Sequence, residues 1–157
     1  MKRLPQMKKI ALLLLFLPLF SHGQAHIDLG GGAARFNQSG EKGITKAISP
    51  VVKIGVGYQV SNIVAEVMMQ PTLTRTVNSP NYFGGKLGYN IAGSNLIASA
   101  GYFYNLCNSD NPENNGSYFG YSLKYQTSII SEYGALYAEA MLVNKSMEAT
   151  IGFHIMF

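Results

Sequence analysis

Residues 134–157 read GALYAEAMLVNKSMEATIGFHIMF, and this stretch decides the fold. In its second half Met147, Ala149, Ile151, Phe153, Ile155 and Phe157 alternate with Glu148, Thr150, Gly152 and His154. A period of two marks a β-strand with one apolar face. In its first half Leu136, Ala138, Ala140 and Leu142 alternate with Tyr137, Glu139 and Met141, and Asn144-Lys145 separates the two runs. So short a connection between alternating runs predicts a tight hairpin. Pairing Val143 with Ser146 sets Glu139 opposite Thr150 and Met141 opposite Glu148. A slip of one residue would exchange the faces, so the pattern fixes the register.

The pattern recurs upstream. Val52, Ile54, Val56, Tyr58 and Val60 alternate with Val51, Lys53, Gly55, Gly57 and Gln59. Beyond Ser61-Asn62, Ile63, Ala65, Val67 and Met69 alternate with Val64, Glu66, Met68 and Gln70. Pairing Val60 with Ile63 places Gly57 opposite Glu66 and Lys53 opposite Gln70. Further runs at 83–91, 96–105 and 119–126, with a glycine-rich one at 27–36, bring the strands to eight. The connectors read long (37–49), tight (61–62), long (74–81), short (92–95), long (106–117), seven residues (127–133) and tight (144–145). The first five alternate as in outer-membrane barrels, with short turns at one end and long loops at the other, and the last two break the alternation.

Two structures suit eight such strands: a soluble barrel with an apolar core, or a membrane barrel with its apolar face outward. Asp28, Lys53, Glu66, Lys86, Lys124, Glu139 and Glu148 all fall on one face, and the other is nearly free of charge in mid-strand. Aromatic residues of the apolar face gather at two levels, with Tyr58, Tyr89, Tyr125 and Phe157 near the short turns and Phe83, Tyr104 and Phe119 near the long loops. Two girdles are the expected arrangement at the two membrane interfaces. Strands of about 9–11 residues, tilted, cross the hydrocarbon. There every backbone group must be paired internally, so strands span only as a closed barrel. The expectation is an all-β fold, a closed antiparallel up-and-down eight-stranded transmembrane β-barrel.

The ending, with Ala149, Ile151, Phe153 and Ile155 alternating down to Phe157, resembles the assembly signal of bacterial outer-membrane barrels. The resemblance implies that Ile151, Phe153, Ile155 and Phe157 are read by the barrel-insertion machinery. Residues 26–157 as a whole resemble the small eight-stranded barrels of the OmpA/OmpX type. No room remains for the periplasmic peptidoglycan-binding domain that OmpA-like proteins append.

The start of the chain is expected to be an export signal. Lys2, Arg3, Lys8 and Lys9 precede an apolar run at 10–20, followed by Ser21-His22-Gly23-Gln24-Ala25. A membrane helix needs roughly 20 apolar residues, so residues 1–25 read as a signal peptide cleaved after Ala25. No Cys follows the run, which argues against a lipoprotein. Four of the twelve cations lie in this segment, leaving eight Lys+Arg against eight Asp+Glu. The basic balance thus belongs to targeting and gives no ground for a nucleic-acid partner. Cys107 is the single cysteine, so no internal disulfide can form, and it is expected in a loop.

Candidate chemistry concentrates on the inner face. Eight strands enclose just enough space for side chains to fill. The network expected there comprises Asp28, Lys53, Glu66, Lys86, Lys124, Glu139, Glu148 and His154, with the charges paired as a plug; Lys86 is a plausible partner for Glu66 or Glu139. A proton or small-ion path is the alternative. Gly30-Gly31-Gly32 lacks the following helix that a phosphate loop requires, so crowding on a narrow wall accounts for it better. A lipid A deacylase needs a His and a Ser on a lipid-facing strand, whereas His154 faces inward with no nearby Ser. His26 and His154 become neighbours when the barrel closes and with Asp28 could bind a metal, but two imidazoles without a well-placed third ligand make a weak site. No metal, cofactor or catalytic residue is therefore expected. Asn-x-Ser at Asn37, Asn115 and Asn144 carries no meaning in a bacterial surface protein.

The expected protein is a monomeric, non-enzymatic barrel of the bacterial outer membrane. Its partners are outer-membrane lipid and, during biogenesis, the export and insertion machinery. Its role is structural or one of surface interaction through three outward loops, with an extracellular partner the sequence does not name. A narrow channel is the first alternative and a lipid-modifying enzyme the second.

Overall fold

The computed structural model describes residues 23–40, 43–74, 79–92, 94–106, 116–131, 134–144 and 146–157. They form eight strands: β1 (Gly23–Gly40), β2 (Gly43–Val60), β3 (Ile63–Gln70), β4 (Tyr82–Asn90), β5 (Leu96–Asn105), β6 (Ser117–Ser131), β7 (Gly134–Val143) and β8 (Ser146–Met156). Each pairs antiparallel with the next, and β8 returns to β1, closing the barrel. Phe157 adds to the seam, its N–H donating to the Ala25 carbonyl at 2.9 Å. With no free edge along the closed wall, the backbone there is paired from within.

The hairpin registers follow the residue pattern. Val60 pairs with Ile63 and Gly57 with Glu66. Val143 pairs with Ser146, Met141 with Glu148 and Glu139 with Thr150. Ser61 and Asn144 take positive φ, 54° each, as tight hairpin turns require.

Two connectors differ from expectation. The first is no long loop: β1 and β2 stay paired from Gly23↔Val60 up to Gly40↔Gly43, so most of 37–49 is strand. β8 leaves β1 at Arg35↔Met147, and β3 reaches β2 last through the Val51↔Thr72 bridge. Beyond those points the hairpin is a two-stranded arm. Pro50 is tolerated inside β2 because a proline lacks only the donor; its carbonyl still accepts from Leu73 N–H at 2.8 Å. The second difference is the seven-residue link at 127–133. β6 runs on to Ser131, which pairs with Gly134 across a shift in register between Thr127 and Ser131. The link is thereby reduced to two positions, and the β1–β2 and β7–β8 connections, two residues each, are the ones that fall short at the long-loop end. The expected signal segment lies outside the described residues up to position 22, as do Cys107 and 108–115.

Candidate functional site: the barrel interior

Glycine makes room on the inner wall. A Cβ on Gly30 would fall 2.2 Å from the Tyr137 hydroxyl, and one on Gly32 would fall 1.8 Å from the Ala149 carbonyl. Gly31 points outward, and its nearest neighbour would lie at 3.7 Å. The inward glycines of this run let β1 approach β8 and give Tyr137 its place in the lumen.

Into that space the strands project the charged residues. Asp28, Lys53, Glu66, Lys86, Lys124, Glu139 and Glu148 are all buried. Lys53, from β2, is the hub, within 2.8 Å of Glu66 and 3.4 Å of Asp28 and in contact with Glu139 of β7. Lys86 contacts Glu139 and lies 3.5 Å from both Glu66 and the Ser122 hydroxyl. Lys124 contacts Asp28 and lies 3.8 Å from Glu66. His154 Nδ1 donates to Asp28 Oδ1 at 2.6 Å. The Lys53–Glu139 and Lys86–Glu139 contacts cross the lumen between strands that are not neighbours.

Glu148 stands apart from the other six. It accepts a hydrogen bond from the Gln70 amide, and its Oε1 has no partner. No lysine among the described residues lies within ion-pair distance of it. An expectation that all seven charges are mutually paired is therefore corrected: six share one network and the seventh is held by an amide. Gln70 on β3 occupies the place that a lysine would need.

Residues the charge pattern did not flag complete the interior. Tyr137 lies beneath two ammonium groups, its ring centroid 5.1 Å from Lys53 Nζ and 4.9 Å from Lys124 Nζ, a cation–π arrangement. Met68, Tyr82, Phe103, Met141 and Val143 form a buried apolar cluster, packed by Tyr118. Tyr82 spans the lumen, its hydroxyl 2.8 Å from Ser146 Oγ beside the β7–β8 turn. The cluster thus lies toward the long-loop end, above the ions. A second cluster of Ala34, Phe36 and Val51 packs at the base of the arm. Strand parity put Met68, Phe103 and Met141 on the inner face, and their apolar character was the available signal.

The outer wall is the reverse. Val56, Val67, Leu87, Tyr102, Leu123, Ile151 and Phe153 are exposed. Phe83 pairs with Tyr104 and Tyr102 with Phe119 on adjacent strands near the long loops. Tyr89, Tyr125 and Phe157 are exposed near the short turns. The chain is a small eight-stranded barrel turned inside out. No protein-family model matches it, and no curated protein does. Among solved structures the barrel is similar to the crystal structure of Neisserial surface protein A, at TM-score 0.48 and 13% identity, over 87% of this chain and 97% of that one.

Proposed function

We propose that the barrel is an integral protein of the bacterial outer membrane with a structural or surface-interaction role, not an enzyme. The observation that carries this is the inverted polarity, with ion pairs buried within and a continuous apolar wall exposed without. Monomeric soluble proteins rarely expose contiguous apolar patches beyond a few hundred Å², whereas a bilayer needs such a wall. Ile151, Phe153 and Phe157 are exposed on β8 and at its end, which suits their reading by the insertion machinery. The arm and the strand ends at Gln70, Tyr82, Asn105 and Ser117 share one end of the barrel, the end to present at the cell surface. Asn81 and Asn105 brace it: Asn81 Oδ1 accepts from Thr72 N–H at 2.8 Å, and Asn105 Oδ1 from Asn81 N–H at 2.9 Å.

The interior is proposed to be a plug. Ion pairs from six strands meet across the axis, under the apolar layer of Met68, Tyr82, Phe103, Met141 and Val143. In planar bilayers the wild-type barrel should show conductance near background. Phe103→Ala with Glu139→Ala, which opens both layers, should raise it. A large, steady wild-type conductance would reject the plug and favour a channel. Lipid A of unchanged mass in a deletion strain is the matching expectation against a lipid-modifying enzyme.

A further inference from the structure

The short-turn end of the lumen holds a cluster that shares Asp28 and His154 with the plug and adds His26, which makes no ion pair. His26 and Asp28 on β1 and His154 on β8 are 1%, 0% and 2% exposed. The β1–β8 register sets Asp28 opposite His154 and His26 opposite Met156. The two imidazole centroids are 4.5 Å apart, their planes inclined at 38°. One donor atom from each of the three residues lies within 4.8 Å of the others. His26 Nε2 is buried with no hydrogen-bond partner, a costly arrangement for a side chain with only packing to do. Gly57 leaves the space for it, since a Cβ there would fall 2.3 Å from that nitrogen.

We propose that His26, Asp28 and His154 bind a divalent transition-metal ion of the zinc class. Two imidazoles and a carboxylate suit such an ion, whereas calcium and magnesium favour oxygen ligands alone. Three protein ligands leave one tetrahedral position for water. Ligand bonds of about 2.0–2.2 Å place donor atoms roughly 3.3 Å apart. The wider of the present separations must therefore contract, and the 2.6 Å Asp28–His154 hydrogen bond must open as the ion takes its place. His154 then carries its hydrogen on the ring nitrogen that faces away from the ion. Lys124 opposes a cation here, since it contacts Asp28 and stands 3.5 Å from His154 Nδ1. It has a second carboxylate to turn to, Glu66 at 3.8 Å. The weak point seen in the sequence was the placement of a third ligand, and Asp28 stands with its carboxylate within 4.8 Å of both imidazoles.

Chelator-stripped barrel in detergent micelles, titrated with Zn²⁺ and separately with Co²⁺, tests the proposal. One equivalent of Zn²⁺ should bind, and Co²⁺ should give the absorption of a site with nitrogen ligands. Zn²⁺ should also raise the temperature at which the compact form unfolds. His26→Ala leaves every ion pair in place, so this variant should fold as the wild type does while losing more than tenfold in affinity. His154→Gln should show the same loss. Failure of the folded wild type to bind, or binding of wild-type affinity in His26→Ala or His154→Gln, would overturn the site.

Discussion

Glu139→Ala is expected to lower the unfolding temperature of the barrel by the largest margin of any single change to its interior. The carboxylate receives both Lys53 and Lys86, and all three groups are buried. Without it, three lysines share Asp28 and Glu66, and Glu148 is beyond their reach. Breaking a fully desolvated pair by removing one partner costs about 3–5 kcal/mol, because the remaining charge stays buried. The effect is read as the temperature at which the compact, detergent-resistant band converts to the slower unfolded one. Two comparisons isolate the cause. Glu148→Gln removes a carboxylate that contacts only an amide, and it should shift the transition little. Lys46→Ala, exposed on the arm, should stay within about 0.5 kcal/mol of wild type. Equal transitions for Glu139→Ala and Lys46→Ala would mean that the ion pairs do not hold the barrel together.

Val67→Arg should be nearly as damaging, for the opposite reason. Val67 lies mid-strand on the outer wall, 54% exposed, between Val56 and Gly85. On the lipid face an arginine costs about 2–4 kcal/mol at the bilayer midplane and about 0–1 near the interfaces. Ile63 follows the β2–β3 turn directly and is 59% exposed, so Ile63→Arg is the depth control. In lipid vesicles Val67→Arg should fold to a much lower yield and unfold in less denaturant than Ile63→Arg. In water the same substitution would add a charge to an exposed surface and cost almost nothing. Equal behaviour of the two variants in vesicles would speak against lipid contact at Val67.

What the sequence made legible and what it left hidden divide along a physical line. Strand parity and hairpin register are local: a two-residue turn and a period of two set Val60 against Ile63 and Val143 against Ser146. Parity also put Lys53, Glu66 and Glu139 on one face. Contacts across the lumen depend on tilt and closure, which no hairpin encodes. The meeting of Lys53 with Glu139, and the isolation of Glu148 beside Gln70, were hidden for that reason. The arm was hidden for a different one. Residues 37–40 and 43–49 pair along the backbone within one hairpin, free of the alternation that a wall with two different faces imposes. The bulge between Thr127 and Ser131 likewise breaks the period of two and conceals the last turns of β6. His26 and His154 were placed side by side by closure, with Asp28 as the third group of the candidate site, but how closely the three approach showed only in the geometry.

Central to the proposed function is an outer wall that faces lipid. Its most direct test is cysteine labelling in outer-membrane vesicles, in a Cys107→Ser background. Val56 and Ile151 are 58% and 71% exposed on that wall. Val56→Cys and Ile151→Cys should resist a water-soluble maleimide in the vesicles and react only once denaturant has unfolded the barrel. Rapid labelling of both in intact vesicles would show water against the apolar wall and would contradict the membrane account outright.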